Sequence, residues 1–171
     1  MVSKQIQGKK NRANGAEFER RVRKDLEEEG WIVDKWSNNV MFYSKPEKHT
    51  VNILLTNNPT EDNIGIALNS NTGKITPAKA RWNNFTKSMM MGSGGFPDFT
   101  AFKQLSEVGD EMDGLYEVIG VESKSNGFLK KIEKEKCQWY LDNKIFSKIL
   151  IAKKVKIKNR VHIEYKEFNG N

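Results

Sequence analysis

The chain has 171 residues, of which 37% are hydrophobic and 30% charged, with a formal net charge of +7. That length fits one domain with a real core, and the composition is globular rather than disordered. No apolar run approaches the roughly 18 residues that cross a bilayer, and residues 1–12 lack the apolar stretch of a secretory signal. A single cysteine, Cys137, excludes an internal disulfide and suits a reducing compartment, so the expected location is cytoplasmic. The excess of positive charge favours a polyanionic partner.

Lys4, Lys9, Lys10 and Arg12 form a basic stretch, read as a flexible arm over residues 1–13. Asn14 has the character of an N-cap with Glu17 three residues on. Phe18, Val22 and Leu26 recur at helical spacing and Gly30 is a stop, which predicts a helix over about 15–29. Glu19 lies three and seven residues before Val22 and Leu26, so it borders the buried stripe. Strands are predicted over 31–36 and about 40–44.

Residues 45–95 are harder to read and form an expected insertion. Short strands are predicted at 51–56 and 64–68. Thr76-Pro77 has the form of an N-cap and first helical position, predicting a helix through Trp82 and Phe85 to a stop at Gly92. Gly92, Gly94 and Gly95 then deliver Pro97-Asp98. Strands are predicted over 97–103 and 115–125, joined by an acidic turn at 107–114. Gly127 precedes a predicted helix over about 129–143, with Leu129, Ile132, Trp139 and Tyr140 facing inward. Residues 148–158, a turn at Asn159, and the alternation of Val161, Ile163 and Tyr165 predict a closing hairpin. Nothing divides 14–171 into two domains.

Asp98 and Glu122-Ser123-Lys124 carry the chemistry. Side chains at i and i+2 of a strand share a face, so Glu122 and Lys124 project together and Ser123 points away. Two carboxylates hold a hard cation through oxygen. Such a cation polarises a phosphate and activates water, and an ammonium beside it steadies developing charge. Pro-Asp alone is a common turn former, and Glu-x-Lys alone is common on half-exposed strands. Their order on neighbouring predicted strands is what carries the reading. Glu19 has a rival explanation as an early-helix acid favoured by the dipole. His49 and His162 lack zinc-ligand spacing, no phosphate-binding Gly-x-x-x-x-Gly-Lys loop is present, and Cys137 reads as structural. Lys130, Lys131 and Lys134 are either a solvated face or a grip on a phosphate backbone.

A helix with Glu, a strand pair with Pro-Asp and Glu-x-Lys, then a helix and further strand resembles the PD-(D/E)XK nuclease superfamily. Gly15-Ala16-Glu17-Phe18-Glu19-Arg20 is similar to the first helix of archaeal Holliday-junction resolvases. Gly95-Phe96-Pro97-Asp98-Phe99, Glu122-Ser123-Lys124 and Gln138-Trp139-Tyr140-Leu141 are similar to the virus-type replication-repair nuclease branch. The resemblance covers 14–30 and 94–152; the insertion and the long connection from Asp98 to Glu122 depart from it. It implies an α/β fold, with a central mixed sheet flanked by helices and a restriction-endonuclease-like core carrying an inserted segment. It implies Mg2+, with Mn2+ substituting, held by Asp98, Glu122 and the Ser123 backbone carbonyl, with Glu19 binding or orienting from the first helix. Lys124 would assist the attacking water and Gln138 would lie near the site. The implied activity is hydrolysis of DNA at junctions, flaps or nicks, with Lys9, Lys10, Arg12, Lys130, Lys131 and Lys134 on the DNA backbone. No membrane partner is expected, and a homodimer is expected if junctions are the substrate. An inactive nuclease fold that only binds nucleic acid, and a sequence-specific restriction-type nuclease, are the alternatives.

Overall fold

Alternation along one strand organises the molecule. In β7 (Tyr116–Ser123), Ile119 and Val121 point to one face of a sheet while Val118, Gly120 and Glu122 point to the other. The computed structural model describes residues 4–42, 73–78, 81–83, 88–90, 95–105, 114–158 and 160–170. Within them β7 is the centre of a five-stranded sheet. Its partners are β1 (Ile32–Lys35), β6 (Phe99–Gln104), β8 (Lys148–Ile157) and β9 (Arg160–Glu167), in the order β1-β6-β7-β8-β9. β7 and β8 run parallel and the other neighbours antiparallel, so the sheet is mixed. A parallel pair needs a crossover; α2 (Lys131–Asp142) supplies it.

The two described helices cover opposite faces. Phe18, Val22 and Leu26 of α1 (Lys4–Glu28) pack on Val33, Phe99, Ala101, Ile119, Val121 and Ala152. Cys137 and Tyr140 of α2 pack with Phe96, Leu129, Phe146, Ile149 and Ile151 on the other face. The expected α/β architecture, a mixed sheet flanked by helices, is what the chain adopts. No described helix is long and apolar enough to cross a membrane.

Two smaller pairings lie outside this sheet. β2 (Asn38–Phe42) pairs antiparallel with β3 (Gly73–Pro77), Phe42 opposite Gly73. β4 (Arg81–Asn83) pairs antiparallel with β5 (Ser88–Met90), Trp82 opposite Met89.

Several expectations are corrected. α1 begins at Lys4, so the stretch read as a basic arm is helical and Asn14 is no cap. Lys, Gln, Arg and Ala dominate those turns, and their helix propensity outweighs Gly8 and Gly15. No residue from 6 to 16 is buried, so this half of α1 is solvated. The helix predicted from Thr76 does not form; Thr76 and Pro77 end β3, where a missing N–H is tolerated at the strand's end, and Trp82 sits in a strand. Phe85, Gly92, the strands predicted at 51–56 and 64–68, and most of the acidic turn at 107–114 lie outside the described residues. Ile132, expected inside, is exposed. It stands five positions from buried Cys137, about 140° round the helix.

Candidate active site

Asp98 sits just ahead of β6, and the backbone fixes it. Trp36 N–H donates to the Asp98 carbonyl at 3.1 Å, and Phe96 N–H donates to the Asn38 carbonyl at 2.9 Å. The Tyr140 hydroxyl donates to the Phe96 carbonyl at 2.7 Å and accepts from Trp36 Nε1 at 3.2 Å. Trp36, Tyr140 and Phe146 meet edge-on or tilted around that point. Gly120 allows the close approach: a Cβ there would stand 2.9 Å from Pro97 and 3.0 Å from Phe146. Phe99 pairs with Val121, and the antiparallel register carried one step on sets Asp98 opposite Glu122. Ser123 N–H donates to Asp98 Oδ2 at 2.9 Å.

Glu122 is only 4% exposed. Its Oε1 is 2.9 Å from Lys124 Nζ, and that ammonium is 2.7 Å from Glu133 Oε1 on α2. Glu133 Oε2 accepts the Lys130 N–H at 2.7 Å, so one carboxylate caps the helix and holds the lysine. Glu122 Oε2 is buried and meets no hydrogen-bond donor among the described residues, and neither does Ser123 Oγ. A buried carboxylate oxygen without a partner is costly.

The charges follow from this geometry. Burial, then the adjacent Asp98, pushes the Glu122 carboxyl up to about 8 against the pull of Lys124. Burial also raises Asp98; the Ser123 N–H opposes this, and the Glu19 charge adds to it. For Lys124, burial favours the neutral form, but Glu122 and Glu133 overcome it and hold the ammonium above its ordinary range. Glu133 is held below its ordinary range despite burial, by Lys124 and the Lys130 N–H. Cys137, buried beneath these acids, is pushed up to about 12 and stays a thiol.

The other candidates divide. Glu19 stands where α1 passes the site, near enough for its charge to act on Asp98, but its carboxylate is bridged to Lys35 at 2.6 Å. Among the described residues no three acid, histidine or cysteine groups stand together as a cation cage; Asp98 and Glu122 supply a pair. Gln138 meets other partners. Its amide donates to Asp142 at 2.8 Å, and its carbonyl oxygen lies against Gly170. Gln138 is five positions beyond Glu133, about 140° round the helix from it. Lys9, Lys10 and Arg12 are exposed on the solvated half of α1, Lys130 and Lys131 are exposed at the start of α2, and Lys134 is half-buried there.

Two residues escape the sequence reading. Glu133 was visible only as an acid three residues into a helix. Lys35, two residues after Val33, shares the face that α1 covers.

The donor set suits a divalent ion. Asp98 and Glu122 offer hard oxygens, and the unpartnered Glu122 Oε2 beside a second carboxylate is an atom that a cation would satisfy. No family model matches this chain, nor does any curated protein or solved structure.

Proposed function

We propose that this chain hydrolyses DNA phosphodiester bonds with magnesium or manganese, on a restriction-endonuclease-like core. The single observation that carries the reading is Glu122 Oε2, buried without a donor among the described residues, opposite Asp98 and two residues from a lysine that shares its face. Asp98 and Glu122 would hold the ion, with the Ser123 carbonyl as a further ligand. Bound there, it supplies the charge that polarises a phosphate and activates water. Lys124, steered by Glu122 and Glu133, presents an ammonium to the phosphate or to the attacking water. Glu19 approaches from α1 and needs only to exchange Lys35 for the site. Lys9, Lys10, Arg12, Lys130, Lys131 and Lys134 supply positive charge for the DNA backbone without reading sequence. Junctions, flaps and nicks are the substrates favoured by the resemblance described above. An inactive binding module is the rival; the intact Asp98, Glu122 and Lys124 speak against it.

The test incubates linear duplex, single strand, supercoiled circle, flap and four-way junction side by side with magnesium, manganese or chelator. Cleavage is expected with either metal, and none with chelator or with Asp98→Asn or Glu122→Gln. Cleavage that survives both substitutions, or no cleavage of any form, overturns the reading.

A further inference from the structure

The loop between Lys124 and α2 holds a feature that hydrolysis at Asp98 and Glu122 does not use. Phe128 is 66% exposed, the highest value among the exposed large apolar side chains of the described residues. On one side, Gly127 N–H donates to the Lys124 carbonyl at 2.7 Å and Phe128 N–H donates to Asn126 Oδ1 at 3.1 Å. Gly127 takes φ of 69° and lies against the Lys153 side chain, so the turn is tight and backed by β8. On the other side, Leu129 is buried in the core and Lys130 opens α2. The backbone is therefore fixed at both ends while the ring between them faces water.

Phe128 walls a cleft of about 320 Å³, at the lower end of volumes that hold small ligands. Leu129, Ile151 and Phe168 give it apolar walls, and Lys134 and Lys166 line it with positive charge. One acid, Glu167, is also present. Ile151 is the cross-strand partner of Glu122, so the cleft lies one strand over from the carboxylate pair. An aromatic face with lysines around it fits a nucleobase whose flanking phosphates sit on those lysines. Only an unpaired base has a free face to stack; in a duplex its neighbours cover both.

We propose that this cleft binds an unpaired base of single-stranded DNA, stacked on Phe128, beside the phosphate that the Asp98–Glu122 site addresses. The proposal rests on the reading of that site as a phosphodiester site, and it narrows the substrate to DNA with a single-stranded segment next to the cut. A flap or frayed end then fits better than an intact duplex.

The full chain carrying Glu122→Gln is titrated, without metal, into fluorescein-labelled oligothymidylate and into blunt duplex, and anisotropy is read. Adding Phe128→Ala is expected to weaken oligothymidylate binding roughly ten-fold, with a smaller loss on duplex, while Phe128→Trp restores it. Oligothymidylate that does not bind, binds as tightly after Phe128→Ala, or loses no more than duplex overturns the proposal. Self-association of the parent that Phe128→Ala abolishes would assign the cleft to a second copy and overturn it too. The outcome is separable from catalysis: Phe128-dependent binding by a chain that cuts nothing with magnesium sinks the hydrolysis and keeps the cleft, whereas cleavage without any Phe128 effect does the reverse.

Discussion

On the α1 face of the sheet, Val121 sits in an apolar cluster with Phe18, Ile119 and Phe99. One residue on, Glu122 turns to the α2 face and is almost as fully buried, but between Asp98, Lys124 and the aromatic core around Tyr140. Burial stabilises the first side chain and strains the second, because water withdrawn from a methyl group favours folding and water withdrawn from a carboxylate opposes it. The difference separates what the two faces are for: one is an apolar foundation, and the other ends in a carboxyl group held where folding alone would not put it.

That contrast is broken most severely at the acids. Glu122→Gln and Asp98→Asn are each expected to cut the cleavage rate by at least about 10³-fold while the melting temperature in chelator does not fall. Val121→Ala should do the opposite, costing about 2 kcal/mol in denaturant unfolding and leaving the rate per folded molecule intact. A Glu122→Gln protein that melts well below the parent would show that the carboxylate is structural.

Lys124→Ala comes next, with an expected loss on the order of 10²-fold in rate and metal binding still measurable by calorimetry. Glu133→Gln keeps a cap for Lys130 N–H but drops the charge that steers Lys124, and should cost roughly ten-fold. In a Lys124→Ala background Glu133→Gln should cost nothing further, since the two act through one contact. Additive losses would separate them.

A pH series sharpens the same contrast. The folded Glu122 carboxyl titrates near 8, above its ordinary value of 4.5, and Asp98 is shifted the same way. Between those values the folded chain binds more protons than the unfolded one, so stability falls as pH rises. In chelator the stability is expected to be fullest below about pH 4.5 as far as Glu122 is concerned, and to decline toward pH 8. Glu122→Gln should flatten that slope. The smallest effect is expected at the solvated half of α1: replacing Lys9, Lys10 and Arg12 by Gln should weaken DNA binding alike for all sequences and lower the salt slope by up to about 3.

The parts legible in the sequence were those with local causes. Phe18, Val22 and Leu26 declared their helix by spacing, and Glu122 and Lys124 declared a shared face by parity. Thr76-Pro77 misled because the same pair that opens a helix also ends a strand, and the pairing of β3 with β2 decided between them. Gln138 was placed by resemblance alone, and the partner it shows is Asp142, one turn on along the same helix. Glu133 and Lys35 could not be read, because each gains its role from a partner nine or sixteen residues off that only the tertiary fold delivers.

The pairing of Phe42 with Gly73 has a consequence for how such a chain can change over generations. Residues 43–72 join two positions that already face each other across a ladder, and Gly95 returns so close against the Trp36 and Asn38 carbonyl oxygens that no Cβ would fit. The β2–β3 ladder joins Phe42 to Gly73 directly, so a change in the length of the chain between them costs little in loop-closure entropy. Splicing Phe42 to Gly73 through a two-residue turn is expected to leave a chain that still folds and still presents the carboxylate pair; collapse of that shortened chain would show the segment to be part of its scaffold. On this view the length of that connection is free to drift over generations while the ladder that closes it stays as it is.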